Sequence, residues 1–293
     1  MIVVRVWEGL GNQMFQYAYA RMLQKSGDQK VFLEGRRMYQ ATLPHEDLSV
    51  ERKCGLHHFN IALKFIKPDY LSKWKFLQRK GIFQKARFWL GERGLIKYNF
   101  ANDFENQCGF NEKLLQLTGN YYVMGHFFHR KYIEPIREEL LHDFSLKNEK
   151  KWPRELYDVL EKSNTVSVHI RRGDYLYADC AQTLNREMKK GRYYERAIQY
   201  LTDRIENPVF LFFSDDIEWV KKNFAFEYEH FFVSELGLAD YEEMMVMAKC
   251  KNNIIANSTF SFWGGWLNQN PDKIVIAPKH WMPSIIPKGW ISL

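Results

Sequence analysis

Between Thr165 and Pro278, apolar runs of five or six residues alternate with helix-length amphipathic stretches, and few folds accept that pattern. The runs are 165–170, 209–214 (VFLFFS), 229–234, 253–257 (NIIAN) and 273–278 (KIVIAP). Helical spacing of apolar residues falls between them, at about 192–206, 217–224, 239–250 and 259–269. Strands apolar on both faces must be covered on both faces, and strand–helix repetition makes neighbouring strands parallel. The C-terminal half is therefore expected to be α/β, a doubly wound parallel sheet.

The N-terminal half opens on the same logic. Residues 2–7 (IVVRVW) read as a strand and Glu8-Gly9-Leu10-Gly11-Asn12-Gln13 as a tight glycine turn. A helix follows, with Phe15, Ala18, Tyr19 and Met22 along one face. The turn lacks the Gly-Lys-Ser/Thr of a Walker loop and the third glycine of the dinucleotide fingerprint. Residues 121–125 read as another short strand. The polar, proline-containing stretch Asn148–Arg154 reads as a linker between domains 1–155 and 156–293.

At 46% hydrophobic, 293 residues can build real cores, and the net charge of +7 favours an anionic partner. Met1–Trp7 is too short and too soon charged for a signal peptide, and no stretch approaches the ~18 apolar residues of a spanning helix. A cytoplasmic protein is expected. Cys54, Cys108, Cys180 and Cys250 show no CxxC spacing and read as free thiols. Residues 64–98 hold ten Lys/Arg against two Asp/Glu, interleaved with aromatics such as Trp74 and Trp89. They read either as amphipathic helices with solvated lysines or as a face that docks peripherally on an anionic membrane.

Three polar clusters fall at the carboxyl ends of C-terminal strands, where open α/β sheets bind ligands. They are His169-Ile170-Arg171-Arg172-Gly173-Asp174-Tyr175, Ser214-Asp215-Asp216 and Asn257-Ser258-Thr259-Phe260-Ser261. Arginine forks onto phosphate, and hydroxyls at a helix N-terminus favour an anion. A carboxylate suits a ribose hydroxyl or the amino edge of guanine. Each cluster also has a plainer reading, a local ion pair or a helix N-cap. No Asp-x-Asp occurs anywhere, and His126 and His129 lack a carboxylate or cysteine companion, so no metal site is expected.

These segments resemble glycosyltransferase family 11, the bacterial-type α-1,2-fucosyltransferases that use GDP-fucose. The likeness is carried by GLGNQMFQYAYARML (9–23), HIRRGDY (169–175), FSDDIEWVKKNF (213–224) and IIANSTFSFWGGWLNQNPDKIVIAPKHW (254–281). Gly125-His126-Phe127 and Tyr193-Tyr194-Glu195-Arg196-Ala197 add lesser matches. The chain departs from the family at Glu8, where a glycine is common, at Phe262 and Gly265, where tryptophan and alanine are usual, and at Asn252, often a histidine. The resemblance implies a GT-B arrangement of two Rossmann-like domains facing a cleft, the first shaping the acceptor site and the second binding GDP-fucose.

It further implies Arg171 as the pyrophosphate-binding catalytic residue and Asn12, after Gly11, facing the diphosphate. Asp215 or Asp216 would hold guanine, and Ser258, Thr259 and Ser261 the phosphate; His169, Arg172, Asn257 and Phe260 complete the donor site. The implied reaction is inverting and independent of metal. It would move L-fucose to the 2-hydroxyl of a terminal β-galactoside on an oligosaccharide or lipid-linked glycan, with no nucleic acid partner. Inversion asks for a base near the acceptor hydroxyl; Glu8, His126, Asp174 and Asp179 are the candidates.

Overall fold

The computed structural model describes residues 1–35, 53–66, 99–103, 108–148, 151–176, 185–186, 188–189, 192–224 and 227–293. The described residues divide into two units, one up to Lys147 and one from Asn148.

The first unit carries β1 (Ile2–Arg5), α1 (Leu10–Ser26), β2 (Val31–Glu34), β3 (Lys64–Phe65), β4 (Asn99–Asn102), β5 (Tyr121–Met124) and α2 (Arg137–Asp143). Its strands pair in the order β3-β2-β1-β5-β4, all parallel. The strand predicted over 2–7 stops at Arg5. Beyond it Val6 N still donates to Glu34 O (2.7 Å), but Trp7 N turns to the side-chain oxygen of Gln16 (2.9 Å). Helix α1 is buried well beyond the single predicted face. Phe15, Ala18 and Tyr19 are enclosed as expected, Met22 only partly, while Met14 and Tyr17 are enclosed as well. The tyrosines can be buried because their hydroxyls are satisfied: Tyr17 donates to Asp143 Oδ2 (2.5 Å) and Tyr19 to Leu114 O (2.8 Å).

The second unit carries α3 (Arg154–Lys162), β6 (Asn164–Ile170), α4 (Tyr193–Thr202), β7 (Pro208–Ser214), α5 (Ile217–Asn223), β8 (His230–Phe232), α6 (Asp240–Lys249), β9 (Asn252–Ile254), α7 (Thr259–Leu267), β10 (Val275–Ala277) and β11 (Ile291–Ser292). Strand order is β11-β10-β9-β6-β7-β8, again all parallel. Along β7 the side chains alternate between two cores. Phe210 and Phe212 join Val166, Val168 and Leu201, whereas Val209, Leu211 and Phe213 join Leu156, Val246 and Met247. That alternation is the signature of a sheet covered on both faces. It also places α3, which a boundary at 155/156 would cut, with the second unit, since its Leu156 belongs to that core.

Strands β6 and β7 each begin one residue before the apolar runs that predict them, whereas β8, β9 and β10 are shorter than theirs. The run 229–234 becomes a strand only at His230–Phe232, because Val233–Leu236 tightens into a 3-10 turn. Strand β9 begins one residue early because Asn252 and Asn253 are anchored by their side chains. Asn252 Oδ1 accepts from Ile274 N (2.8 Å), and Asn253 Nδ2 donates to Ser167 Oγ (2.7 Å) and Met247 O (2.8 Å).

Among the described residues no helix is long and apolar enough to cross a membrane. Of the basic stretch 64–98, only Lys64–Ile66 and none of the residues proposed for membrane docking are described. Cys54, Cys108 and Cys250 are free thiols, while Cys180 lies outside the described residues.

Candidate active site

In each sheet the strand order reverses next to the first strand of its unit, and the crevice beyond the carboxyl ends there is where such sheets hold ligands. In the second unit the reversal lies between β6 and β9. β6 delivers Arg171 and Arg172, and the loop after β9 delivers Asn257–Ser261 into the start of α7. In the first unit it lies between β1 and β5, which deliver Glu8 and His126.

In the second unit, two arginines meet two aspartates. Arg171 Nη1 lies 2.7 Å from Asp215 Oδ2, and Arg172 Nε donates to Asp216 Oδ2 at 3.0 Å. The other oxygen of Asp215 accepts from Arg172 N (2.8 Å), and the other oxygen of Asp216 caps α5 by accepting from Trp219 N (3.2 Å). The Arg172 guanidinium stacks on Trp219, 3.6 Å from the ring centre. Gly173 is required by close approach, since a Cβ there would fall on Asp215 Oδ2. The guanidinium forks are thus oriented by carboxylates and an aromatic face, which pre-organises them for planar, bidentate contacts. Asp216 has the N-cap role expected of one aspartate of the pair, while Asp215 binds the arginine loop.

His169 is the penultimate residue of β6, and its side chain points into the interior. It is 5% exposed, 5.5 Å from Phe260, and its Nδ1 is hydrogen-bonded to no described group. Burial, with the nearby Arg171 charge adding, pushes its pKa down to about 3, so the imidazole is neutral. The hydroxyls of the Ser258–Ser261 turn are largely committed to its own backbone. Ser258 caps α7 by accepting from Phe260 N (3.3 Å), and Ser261 Oγ accepts from Ala256 N (3.1 Å) and donates to Ser258 O (3.3 Å). Asn257 Nδ2 reaches Asn185 Oδ1 at 3.0 Å. What this turn offers an anion is the N-terminus of α7, with Thr259 partly exposed beside it.

Two features of this rim carry no signal in residue spacing. Tyr193 OH donates to Ile255 O (2.7 Å) and Tyr194 OH to His169 O (3.1 Å), so the start of α4 pins the ends of β9 and β6. Glu243 on α6 sits behind the aspartates. Burial raises its carboxyl to about 7, with a hydrogen bond to Ser234 opposing and the charges of Asp240 and Asp215 adding. Ser234 Oγ in turn accepts from Ser214 N at 3.0 Å.

In the first unit, His126 Nε2 lies 3.0 Å from Glu8 Oε2, and Asn12 Nδ2 donates to the same oxygen at 2.5 Å. Gln13 Nε2 donates to Glu8 O (2.7 Å) and to Lys53 O (2.9 Å), which fixes the turn. Gly11 is buried in the first turn of α1. The imidazole lies 5.3 Å from Trp7 and stacks 5.0 Å from Phe128. Burial opposes ionisation of Glu8, but hydrogen bonds from His126, Asn12 and Trp7 and the imidazole charge outweigh it, and the carboxyl is held below its ordinary range. Glu8 also stands at φ 67°, in the left-handed region that favours glycine. A strained backbone supporting an oriented carboxylate is a mark of functional sites.

Of the four candidate bases, the structure brings Glu8 and His126 together. Asp179 lies outside the described residues, and of Asp174 only the backbone is described. Among the described residues, no group of three or more His, Cys, Asp or Glu is arranged to hold a metal ion.

Two parallel α/β units, each with a polar centre at its switch point, fit the GT-B fold of glycosyltransferases. The chain belongs to glycosyl transferase family 11, whose profile matches residues 1–288. It is 32% identical to the O-antigen biosynthesis glycosyltransferase WbnK of Escherichia coli, over 97% of this chain and 98% of that one. It is 33% identical to an alpha-1,2-colitosyltransferase of Escherichia coli, over 96% and 92% respectively. Identity is 26% to galactoside alpha-(1,2)-fucosyltransferase 1 of Leontopithecus chrysomelas, over 88% of this chain and 62% of that one. The fold is shared with a FUT1 mutant of Arabidopsis thaliana solved in complex with GDP, at TM-score 0.53 and 11% identity, over 98% of this chain and 74% of that one.

Proposed function

We propose that this glycosyltransferase moves L-fucose from GDP-β-L-fucose to the 2-hydroxyl of a terminal β-galactoside, with inversion, forming an α-1,2 linkage. The observation that carries the reading is the pair of carboxylate-held arginines at the switch point of the second unit, Arg171 at 2.7 Å from Asp215 and Arg172 at 3.0 Å from Asp216. A galactoside α-1,2-fucosyltransferase among its relatives supports the choice of sugar and linkage.

In this reaction the bond between the fucosyl anomeric carbon and the β-phosphate oxygen breaks, and GDP leaves with the electron pair. The acceptor 2-oxygen bonds to the opposite face of that carbon and loses its proton. Arg171, Arg172 and the N-terminus of α7 stabilise the negative charge growing on the diphosphate, so no metal is required. One such donor is worth on the order of 10²–10³ in rate. Glu8, held ionised by His126 and Asn12, takes the acceptor proton. Positioned general bases contribute about 10²–10⁴-fold. Glu8 occupies a position where glycine is common in the family, so its use as base is a property of this chain.

The 33% identical colitosyltransferase favours a second reading, in which the donor sugar is colitose. Colitose differs from fucose by one missing hydroxyl, and a site built to bond that hydroxyl discriminates strongly against its absence. Donor hydrolysis and transfer measured across GDP-fucose, GDP-colitose, GDP-mannose and UDP-galactose, each with and without EDTA, test both readings. Turnover with GDP-fucose, undiminished by EDTA, is the expected result. Preference for GDP-colitose selects the second reading. Preference for a UDP-sugar, or turnover that stops with EDTA and returns with Mg²⁺ or Mn²⁺, contradicts both.

A further inference from the structure

Strand β4 ends at Asn102, and the next residue is a carboxylic acid shut inside the protein. Asp103 is 2% exposed, and neither of its oxygens is hydrogen-bonded to a described group. Buried polar atoms are nearly always paired, so an orphaned carboxyl calls for a reason beyond packing.

Its position supplies one. Asp103 N donates to Met124 O (3.0 Å), carrying the β4–β5 ladder one residue past the strand and bringing Asp103 level with Gly125. A Cβ on Gly125 would lie 2.7 Å from Asp103 Cβ. The absent side chain at 125 is therefore what lets Asp103 lie against the backbone that carries His126. Among the described residues, the titratable groups that feel Asp103 are His126 at the end of β5, Tyr19 on α1 and Tyr132 on the 3-10 turn Arg130–Tyr132. Tyr19 gives its hydroxyl to Leu114 O, and Tyr132 bonds the backbone of Asn111. Of the three, His126 alone can carry a positive charge, and it is already bonded to Glu8.

We propose that Asp103 is a positioning residue for the Glu8–His126 pair: its carboxylate steadies the positive charge of His126, which in turn holds Glu8 ionised and oriented to take the acceptor's proton. The proposal rests on the reading of Glu8 as the base, with His126 holding it ionised. A buried carboxylate that steadies an imidazolium without itself being protonated by the reaction is established chemistry in hydrolases. Burial raises the Asp103 carboxyl to about 7, with the charge of His126 opposing. The support is therefore present above neutral pH and withdrawn below it.

The experiment is the pH dependence of kcat and KM between pH 5.5 and 8.5 for the wild-type chain, Asp103→Asn, Asp103→Ser, Glu8→Gln and His126→Gln. The wild-type kcat should rise through a midpoint near 7. Both Asp103 variants should lose that limb and fall 10- to 100-fold in kcat at pH 8, with KM for donor and acceptor within twofold of wild type. A wild-type profile flat from pH 6 to 8 overturns the proposal without recourse to any variant. So does an Asp103→Asn enzyme that keeps both its rate and its limb while Glu8→Gln and His126→Gln are impaired, and in that case the pair itself stands. Unimpaired Glu8→Gln and His126→Gln instead overturn the pair, and the role of Asp103 falls with it.

Discussion

Arg171 and Asp215 are joined by a 2.7 Å ion pair that ties the first arginine after β6 to the first aspartate after β7. The contact spans two neighbouring parallel strands whose registers end together, Ile170 opposite Ser214. The sheet therefore presents the guanidinium at a fixed height, with a carboxylate to set its plane.

Removing that guanidinium should remove transfer and leave the fold intact. Arg171→Ala is expected to lose about 10²–10³ in kcat. Arg171→Lys should also be poor, because an ammonium is a point charge and cannot fork onto a diphosphate. Steady-state kinetics with circular dichroism as a folding control check this. A lysine variant with wild-type kcat and donor KM removes Arg171 from the diphosphate.

The two aspartates should separate. Asp216 is the N-cap of α5, and asparagine caps as well as aspartate does, so Asp216→Asn should be nearly neutral in stability while Asp216→Ala costs about 1 kcal/mol. Asp215 holds the side chain of Arg171 and the backbone of Arg172. Asp215→Asn should therefore weaken GDP binding about tenfold, or roughly 1.4 kcal/mol. Calorimetric titration of GDP into the two asparagine variants reads the difference, and equal, negligible losses would contradict it.

Glu8→Gly should divide stability from activity. The substitution relieves a side chain from φ 67°, a conformation worth about 1–3 kcal/mol of strain for a non-glycine residue. It also removes the contacts to His126 and Asn12. The variant should unfold within about 1 kcal/mol of wild type, since the larger unfolded-state freedom of glycine offsets the relief. Its kcat should fall about 100-fold. A glycine variant that keeps wild-type kcat places the base elsewhere.

Asp103 should mark the stability curve as well as the rate. Burial raises its carboxyl to about 7, His126 opposing. Between the ordinary carboxylate range near 4 and that value, the folded chain holds a proton that the unfolded chain has released. Its contribution to stability is then present in full below about pH 4 and is lost as pH rises towards 7, a change of roughly a few kcal/mol at most. Asp103→Asn should remove that decline. Urea unfolding at pH 5 and pH 8, wild type against variant, measures it, and parallel curves for the two proteins contradict it.

The second unit was legible because its strands are apolar on both faces: the VFLFFS run feeds two cores through alternate residues. The ends of those strands were less legible. Side-chain bonds of Asn252 and Asn253, and the 3-10 turn after Phe232, settle the boundaries, and hydropathy does not register either. The arginine and aspartate clusters were visible as residue types at strand ends, but that each arginine takes one aspartate depends on the register of β6 against β7. Asp103 and Glu243 were invisible for a related reason. Asp103 stands two residues before Glu105 and Glu243 ends the acidic run 240–243, so nothing in residue spacing singles either out, and only the three-dimensional packing shields it from water beside a charged group.

The central claim is fucosyl transfer to a galactoside 2-hydroxyl, and the most direct measurement is the structure of the product. The purified chain, GDP-β-L-fucose and a β-galactoside acceptor should yield one product. Its NMR spectrum should show an α-configured fucosyl anomeric proton and a correlation across the glycosidic bond to the galactose 2-position. A β-configured product, a linkage to any other hydroxyl, or release of free fucose with no transfer to the acceptor would contradict the account.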